Sequence, residues 1–302
     1  MKVIITGGTG LIGRALAADL VSDGHQTIVL SRAPERASGL PEGVRVERWD
    51  ASTAKGWSSL AEGADAIVNL AGESIAAGRW SEERKRLIRE SRLNAGHAVV
   101  QAVELVTQKP RVVIQASGVG YYGPCGDQEV PEEAPPGNDF LAGVAREWEA
   151  STAPVKDMGA RQAIIRTGVV LSARGGALVR MLLPFRFFVG GPLGNGRQWM
   201  PWIHLVDEVT AIRFLIEKEE ASGPFNLTAP NPLTNADFSR AVGRVMGRPA
   251  LVPTPGLAMR LAFGEMATLL LDGQRAIPRR LLDLGFAFRF PHAQAALKDL
   301  LG

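Results

Sequence analysis

Four glycines crowd into Thr6-Gly7-Gly8-Thr9-Gly10-Leu11-Ile12-Gly13. The apolar run Val3-Ile4-Ile5 precedes them, and an amphipathic stretch, Leu11, Ile12, Ala15, Leu16 and Leu20, follows. A strand that turns on glycines into a helix makes an anion site. Glycine permits the tight turn and a close approach of ligand to backbone, and the helix N-terminus offers unpaired N–H groups with partial positive charge. The pyrophosphate of a dinucleotide is the ligand this order suits.

The next strand sets the kind of dinucleotide. Gln26-Thr27-Ile28-Val29-Leu30 is β-branched and apolar and ends at Ser31-Arg32. An NAD site places Asp or Glu here, about 20 residues past the glycines, on the ribose hydroxyls. This chain has no carboxylate there; it has Arg32, with Arg36 following. A guanidinium grips phosphate through two parallel hydrogen bonds. The cofactor expected is therefore NADP(H).

These residues need a frame, and the first half of the chain supplies one. Val44–Arg48 alternates like a short strand, Ala64–Leu70 reads as a buried strand, and Val112–Ala116 and Gln162–Arg166 as two more. Helical patterns run over about 81–106 and over Phe140–Ala150, and a loop rich in Gly, Pro and acid covers Gly118–Gly137. Alternating strands and helices specify an α/β fold, a doubly wound parallel sheet of Rossmann type. Prolines punctuate the second half, where helical patterns remain at Leu205–Lys218, Asn235–Met246 and Leu257–Leu271. The expected division is a cofactor domain over 1–170, its later strands and helices continuing to about 250. A smaller α+β substrate lobe over 171–302 includes a C-terminal segment from about 251. Ligands of such sheets bind beyond the carboxyl ends of the strands, where this lobe would sit.

Composition narrows the classes. The chain has 302 residues, 46% hydrophobic and 22% charged, with a net charge of +3. That is ordinary for a folded protein and too weak a charge for a nucleic-acid binder. Cys125 is the one cysteine, so no internal disulfide forms, and no Cys/His spacing points to a metal. The first strand begins at once, which reads as no leader peptide. Arginines and Glu265 interrupt the longest apolar stretches, which are shorter than the roughly 20 residues a span needs. A cytoplasmic protein with a small-molecule substrate, no nucleic acid and no membrane partner is expected, with monomer and dimer both open.

Taken together, these motifs resemble the extended short-chain dehydrogenases/reductases. The resemblance rests on Thr6–Gly13, Asp50, Asn69-Leu70-Ala71-Gly72, Ser117 through Tyr121-Tyr122-Gly123, Arg166–Leu171 and Trp202–Asp207. More closely, Asn69–Ile75, Gly120–Gly123, Gly190–Gly194, Gly273-Gln274-Arg275 and Leu282–Phe290 are similar to an atypical branch labelled epimerase family protein, with a C-terminal domain of unknown function. The resemblance implies that Gly7, Gly10, Leu11 and Ile12 line the pyrophosphate and that Arg32 and Arg36 hold the 2′-phosphate. It implies that Asp50 reaches the adenine, that Leu70, Ala71 and Gly72 run along the ribose with Glu73 close by, and that Val169 approaches the nicotinamide. Read from its residue type alone, Asp50 has the alternative of a loop carboxylate or turn former.

The chain departs from that superfamily at its chemistry. The usual acid/base pair is a Tyr with a Lys four residues on, which a helix places on one face. The ammonium lowers the phenol pKa so that a proton moves as a hydride does. Neither of the two tyrosines has a Lys at that spacing. Ser117, or Gly118 in the alternative register, takes the place of the orienting hydroxyl, and Tyr121 or Tyr122 is left either as proton donor or as packing at the loop root. An isolated phenol titrates near about 10 and is a poor base at neutral pH. The resemblance matches Asn94 on the long helix to an Asn that braces an active-site water; by residue type it is alternatively an ordinary helix-face Asn. His204 reads as structural, Trp199, Met200 and Trp202 as substrate wall or core, and Arg79, Trp80 and Arg197 as anion contacts or solvated surface. The expected function is an NADP(H)-binding oxidoreductase or epimerase-like enzyme on an unidentified small molecule. The alternative is an NADP(H)-binding redox sensor or regulatory protein without turnover.

Overall fold

The computed structural model describes residues 1–302. Seven strands form one parallel sheet: β1 (Lys2–Thr6), β2 (Gln26–Ser31), β3 (Arg45–Arg48), β4 (Ala66–Asn69), β5 (Val112–Gly118), β6 (Arg161–Thr167) and β7 (Gly223–Leu227). Their spatial order is β3-β2-β1-β4-β5-β6-β7, so the winding reverses between β1 and β4. The register there aligns Thr6 with Asn69.

Neighbouring residues of each strand point to opposite faces, and both faces are covered, which explains why these strands read as unbroken apolar runs. Val3 and Ile5 pack on the face of α1 (Leu11–Ser22), through Leu16 and Leu20, and of α5 (Leu205–Glu217), through Ile212 and Leu215. Ile4 and Ile67 pack on the opposite face against Ala95, Ala98 and Val99 of α2 (Glu82–Leu105). α3 (Phe140–Ser151) lies beside α2, and Gly96 lets them approach, since a Cβ there would run into Ser151. Ser81 and Asp139 cap α2 and α3 by accepting from the amides of Arg84 and Ala142.

The second half adds a lobe with its own core. α4 (Ala177–Arg186), α6 (Asn235–Met246) and the C-terminal helix Ala293–Leu301 enclose Leu182, Phe185, Trp202, Phe238 and Leu297. Short pairings stitch it together: 169–171 with 202–204, 199–200 with 233–234, and 129–130 with 275–276.

Three expectations are corrected. The helical pattern 257–271 is broken at Gly264, whose φ of +60° ends one helix at Phe263 before a second forms over Thr268–Leu271. The loop 118–137 contains a single 3-10 turn, Val119–Tyr122, and the strand Glu129–Val130. β7 is a later strand of the kind expected before about 250, but no residue range marks it in the sequence, because Gly223-Pro224 disguises it; proline is tolerated there because β7 is an edge strand. No helix is long and apolar enough to cross a membrane.

Candidate functional site

At the point where the winding reverses, each glycine has a separate task. Gly7 adopts φ +67°, and a Cβ on it would lie 2.7 Å from the carbonyl carbon and oxygen of Leu70, so the loop leaving β4 crosses directly over the turn. A Cβ on Gly8 would strike Val29 of β2, and one on Gly13 would strike the backbone of Gly7 and Gly8. Gly10 holds the turn, its amide donating to the Gly7 carbonyl at 2.9 Å. It is the N-cap of α1, which has no side-chain cap and no acidic residue in its first turn. The first amides of α1 are therefore left for an anion from outside.

A buried polar chain fixes the floor beneath. The Thr6 hydroxyl donates to Asn69 Oδ1 at 2.6 Å and accepts from the Ala71 amide at 3.2 Å. Asn69 Nδ2 donates to Gln115 Oε1 at 2.9 Å, so the chain links the ends of β1 and β4 to the middle of β5. The following loop, Leu70–Glu73, is held from α2. Ser91 accepts from the Glu73 amide at 3.0 Å, Arg92 donates to its carbonyl at 3.1 Å, and Arg84 meets its carboxylate at 3.2 Å. Glu73 is thus an anchor of the loop. Gln115 carries no motif signal, and Thr6 enters only as the first residue of the glycine motif, because the hydrogen-bonding roles of both depend on strand register.

At the end of β2, Arg32 and Arg36 are exposed and neither pairs with a carboxylate. Arg48 does the local structural work instead, donating to the Arg32 carbonyl at 2.9 Å and pairing with Glu35 at 2.7 Å. Asp50 forms a turn: it accepts from the amides of Ser52 and Thr53 at 2.8 and 2.7 Å and from the Thr53 hydroxyl at 2.6 Å. The Thr53 hydroxyl is foremost in holding its carboxyl down to about 2.

Beyond β5 lies a second buried network. Ser117 donates to Glu149 Oε1 at 2.7 Å. Glu149 takes both arms of Arg166, at 2.8 and 2.9 Å. Arg166 also donates to the Tyr122 hydroxyl at 3.0 Å and the Glu132 carbonyl at 2.9 Å, and Tyr122 donates to Asn226 Oδ1 at 2.7 Å. Burial works against the Arg166 charge, but Glu149 and Tyr122 more than offset it and hold its pKa above the ordinary range. Burial pushes the Tyr122 phenol up to about 12. The hydroxyls of Ser117 and Tyr122 are therefore committed to neighbours. Tyr121 differs: it is half-buried, and the Arg166 guanidinium lies 3.5 Å from its ring centre.

α3 carries neither Tyr nor Lys. Its same-face pairs include Phe140 with Val144 and Leu141 with Ala145, all apolar, and Leu141 faces the Gly120 turn. Val169 is fixed by its amide, which donates to the Pro201 carbonyl at 2.7 Å. Met200 and Trp202 belong to the lobe core, while Trp199 is half-buried, donates to Asp127 at 2.9 Å and stacks with Arg275. Trp80 donates to the Ile75 carbonyl and meets Phe140 edge-on. Asn94, Arg79 and Arg197 are exposed. His204 is buried: its Nδ1 accepts from the Val206 amide at 3.1 Å as the cap of α5, and burial lowers its pKa.

Comparison with known proteins agrees with this geometry. Residues 3–228 match the NAD dependent epimerase/dehydratase family, and residues 254–300 match a domain of unknown function. Epimerase family protein SDR39U1 of Mus musculus is 38% identical, with all of both chains covered. Epimerase family protein YfhF of Bacillus subtilis is 37% identical, over 100% of this chain and 98% of that one. The crystal structure of the human epimerase family protein SDR39U1 with NADPH superposes with a TM-score of 0.90 at 37% identity, covering 99% of each chain. On its glycine turn, its sheet order and these matches, the chain belongs to the NAD dependent epimerase/dehydratase family.

Proposed function

We propose that this protein is an NADP(H)-dependent oxidoreductase or epimerase-like enzyme on a small molecule, with Tyr121 as its proton donor. The observation that carries the cofactor choice is the pair of unpartnered arginines at the end of β2, where an NAD site has a carboxylate. The human relative crystallised with NADPH supports the same choice. Gly7, Gly10, Leu11 and Ile12 would hold the pyrophosphate, Arg32 and Arg36 the 2′-phosphate, Leu70–Gly72 the ribose, and Val169 the nicotinamide end. Asp50 would meet the adenine with whatever lone pairs its turn leaves free.

When bound, reduced nicotinamide supplies a hydride. The protein must then supply a proton, and Tyr121 is the tyrosine of this loop whose hydroxyl is not drawn into the buried network. The Arg166 guanidinium lies against the face of its ring, 3.5 Å from the centre, and holds the ring in place at the loop root. Ser117 and Tyr122 act at one remove, by holding Glu149 and Arg166 in place.

Incubation with NADPH and a broad panel of aldehydes and ketones, followed by nicotinamide absorbance, tests this. Turnover is expected, and Tyr121→Phe is expected to lower kcat by roughly 100-fold or more with unchanged NADPH affinity. Turnover that survives Tyr121→Phe undiminished refutes the assigned donor. Tight NADPH binding with no turnover on any carbonyl favours the second reading, a redox-sensing protein, which the apolar face of α3 motivates.

A further inference from the structure

The lobe carries an exposed surface that is both apolar and basic. Eight of the eleven exposed large apolar side chains lie in two segments, 173–206 and 238–264. Neither segment contains a single Asp or Glu, and together they hold eight arginines, of which only Arg240 pairs with a carboxylate. The two segments meet. The Val252 amide donates to the Gly190 carbonyl at 3.1 Å, and the Arg248 guanidinium lies 4.1 Å from the centre of the Phe188 ring.

The most prominent apolar groups are at the tips. Phe187 is 74% exposed and Leu251 81%, with Phe188, Val189 and Val252 each about half exposed. Beside them opens a cavity of about 350 Å³, lined by Leu182, Arg186, Val245, Met246, Arg248 and Leu301. Four of its six lining side chains are apolar, and the other two are arginines without a carboxylate partner.

We propose that this face docks on an anionic lipid bilayer surface. Phe187, Phe188 and Leu251 would enter the interface, while Arg186 and Arg248 would meet headgroup phosphates at the cavity. Apolar tips flanked by cations without acids are what a charged bilayer surface rewards. A second copy of the chain fits less well. A two-fold contact sets a patch against itself, which would bring Arg186 and Arg248 against their own equivalents. The proposal departs from the expectation of no membrane partner, which rested on the absence of a spanning segment; a contact on the surface needs none.

Vesicle co-sedimentation tests it, with phosphatidylcholine vesicles against vesicles rich in phosphatidylglycerol. Sedimentation with the anionic vesicles alone, weakening as salt rises, is expected. Arg186→Glu with Arg248→Glu should lower the partition by at least about 25-fold, from about fivefold per cation removed. Phe187→Ser with Phe188→Ser should abolish it. Because all four positions lie away from the glycine turn, unchanged NADPH fluorescence titrations report that both variants are folded. Equal binding to neutral vesicles, binding to neither, or displacement by inorganic phosphate at constant ionic strength overturns the proposal. So does self-association in sedimentation velocity without vesicle binding.

Discussion

The replacement Glu149→Met isolates what the buried Arg166 network costs and contributes. Methionine fills nearly the same volume, so no cavity confuses the result. The change removes two hydrogen bonds at 2.8 and 2.9 Å from a guanidinium only 4% exposed, and it removes the acceptor of Ser117. Arg166 keeps the Tyr122 hydroxyl and the Glu132 carbonyl, neither of which balances its charge. Leaving one charge of a buried pair uncompensated costs about 3–5 kcal/mol. Against a total stability of roughly 5–15 kcal/mol this is a large fraction. At about 2 °C per kcal/mol, Tm should fall by about 6–10 °C. Urea unfolding followed by tryptophan fluorescence gives the measurement directly. The control is Glu149→Met with Arg166→Met, which removes both charges and should restore most of the loss, because apolar groups replace a buried pair at little net cost. A single variant losing less than ~1 kcal/mol, or a double variant no better than the single one, would refute the reasoning.

Other expected outcomes follow from the site. Arg32→Asp removes a charge-assisted phosphate contact worth about 1.5–3 kcal/mol, so NADPH affinity should fall about 10- to 100-fold in a fluorescence titration, with NADH affected far less. Gly7→Ala puts a Cβ 2.7 Å from the Leu70 backbone at φ +67°; cofactor binding and Tm should both drop, and an unchanged titration would show that the turn is not the phosphate site. Glu208 is wholly buried, accepts from Thr167 at 2.8 Å, and is pushed up to about 8 by burial. A carboxyl raised above its unfolded value near about 4.3 binds more protons folded than unfolded, so its contribution is complete below that value and is lost as pH rises toward 8. Glu208→Gln should therefore flatten the decline in urea midpoint between pH 5 and 8, which approaches about 1.4 kcal/mol per pH unit for this one group.

Much of the frame was legible because it depends on local pattern. β1, β2, β5, α1, α3 and α6 lie close to where periodicity places them, and the Gly7–Gly13 turn has the strand and helix that give a glycine motif its meaning. The Arg32 position was legible for the same reason, since spacing along β2 fixes it. What escaped depends on contacts distant in sequence. Thr6, Gln115, Glu149 and Asn226 are ordinary polar residues until the fold brings each of them to a partner 32 to 104 positions away. Ser117 and Tyr122 carried the same difficulty in reverse. Their types suggest proton chemistry, yet partners far along the chain have already taken their hydroxyls.

The edge strand β7 has a consequence for how the molecule behaves in company. A bare sheet edge is a template on which another chain can add a strand. Here Pro224 offers no N–H, and its carbonyl is taken by Arg280 at 2.6 Å, with the Ser222 carbonyl taken by the same guanidinium at 2.7 Å. The Asn226 amide is taken by Glu132 at 3.0 Å. Arg280 comes from the segment 254–300 that matches a domain of unknown function. Whatever else that segment does, it is a stopper on the sheet: it occupies the positions from which stacking into fibres would begin.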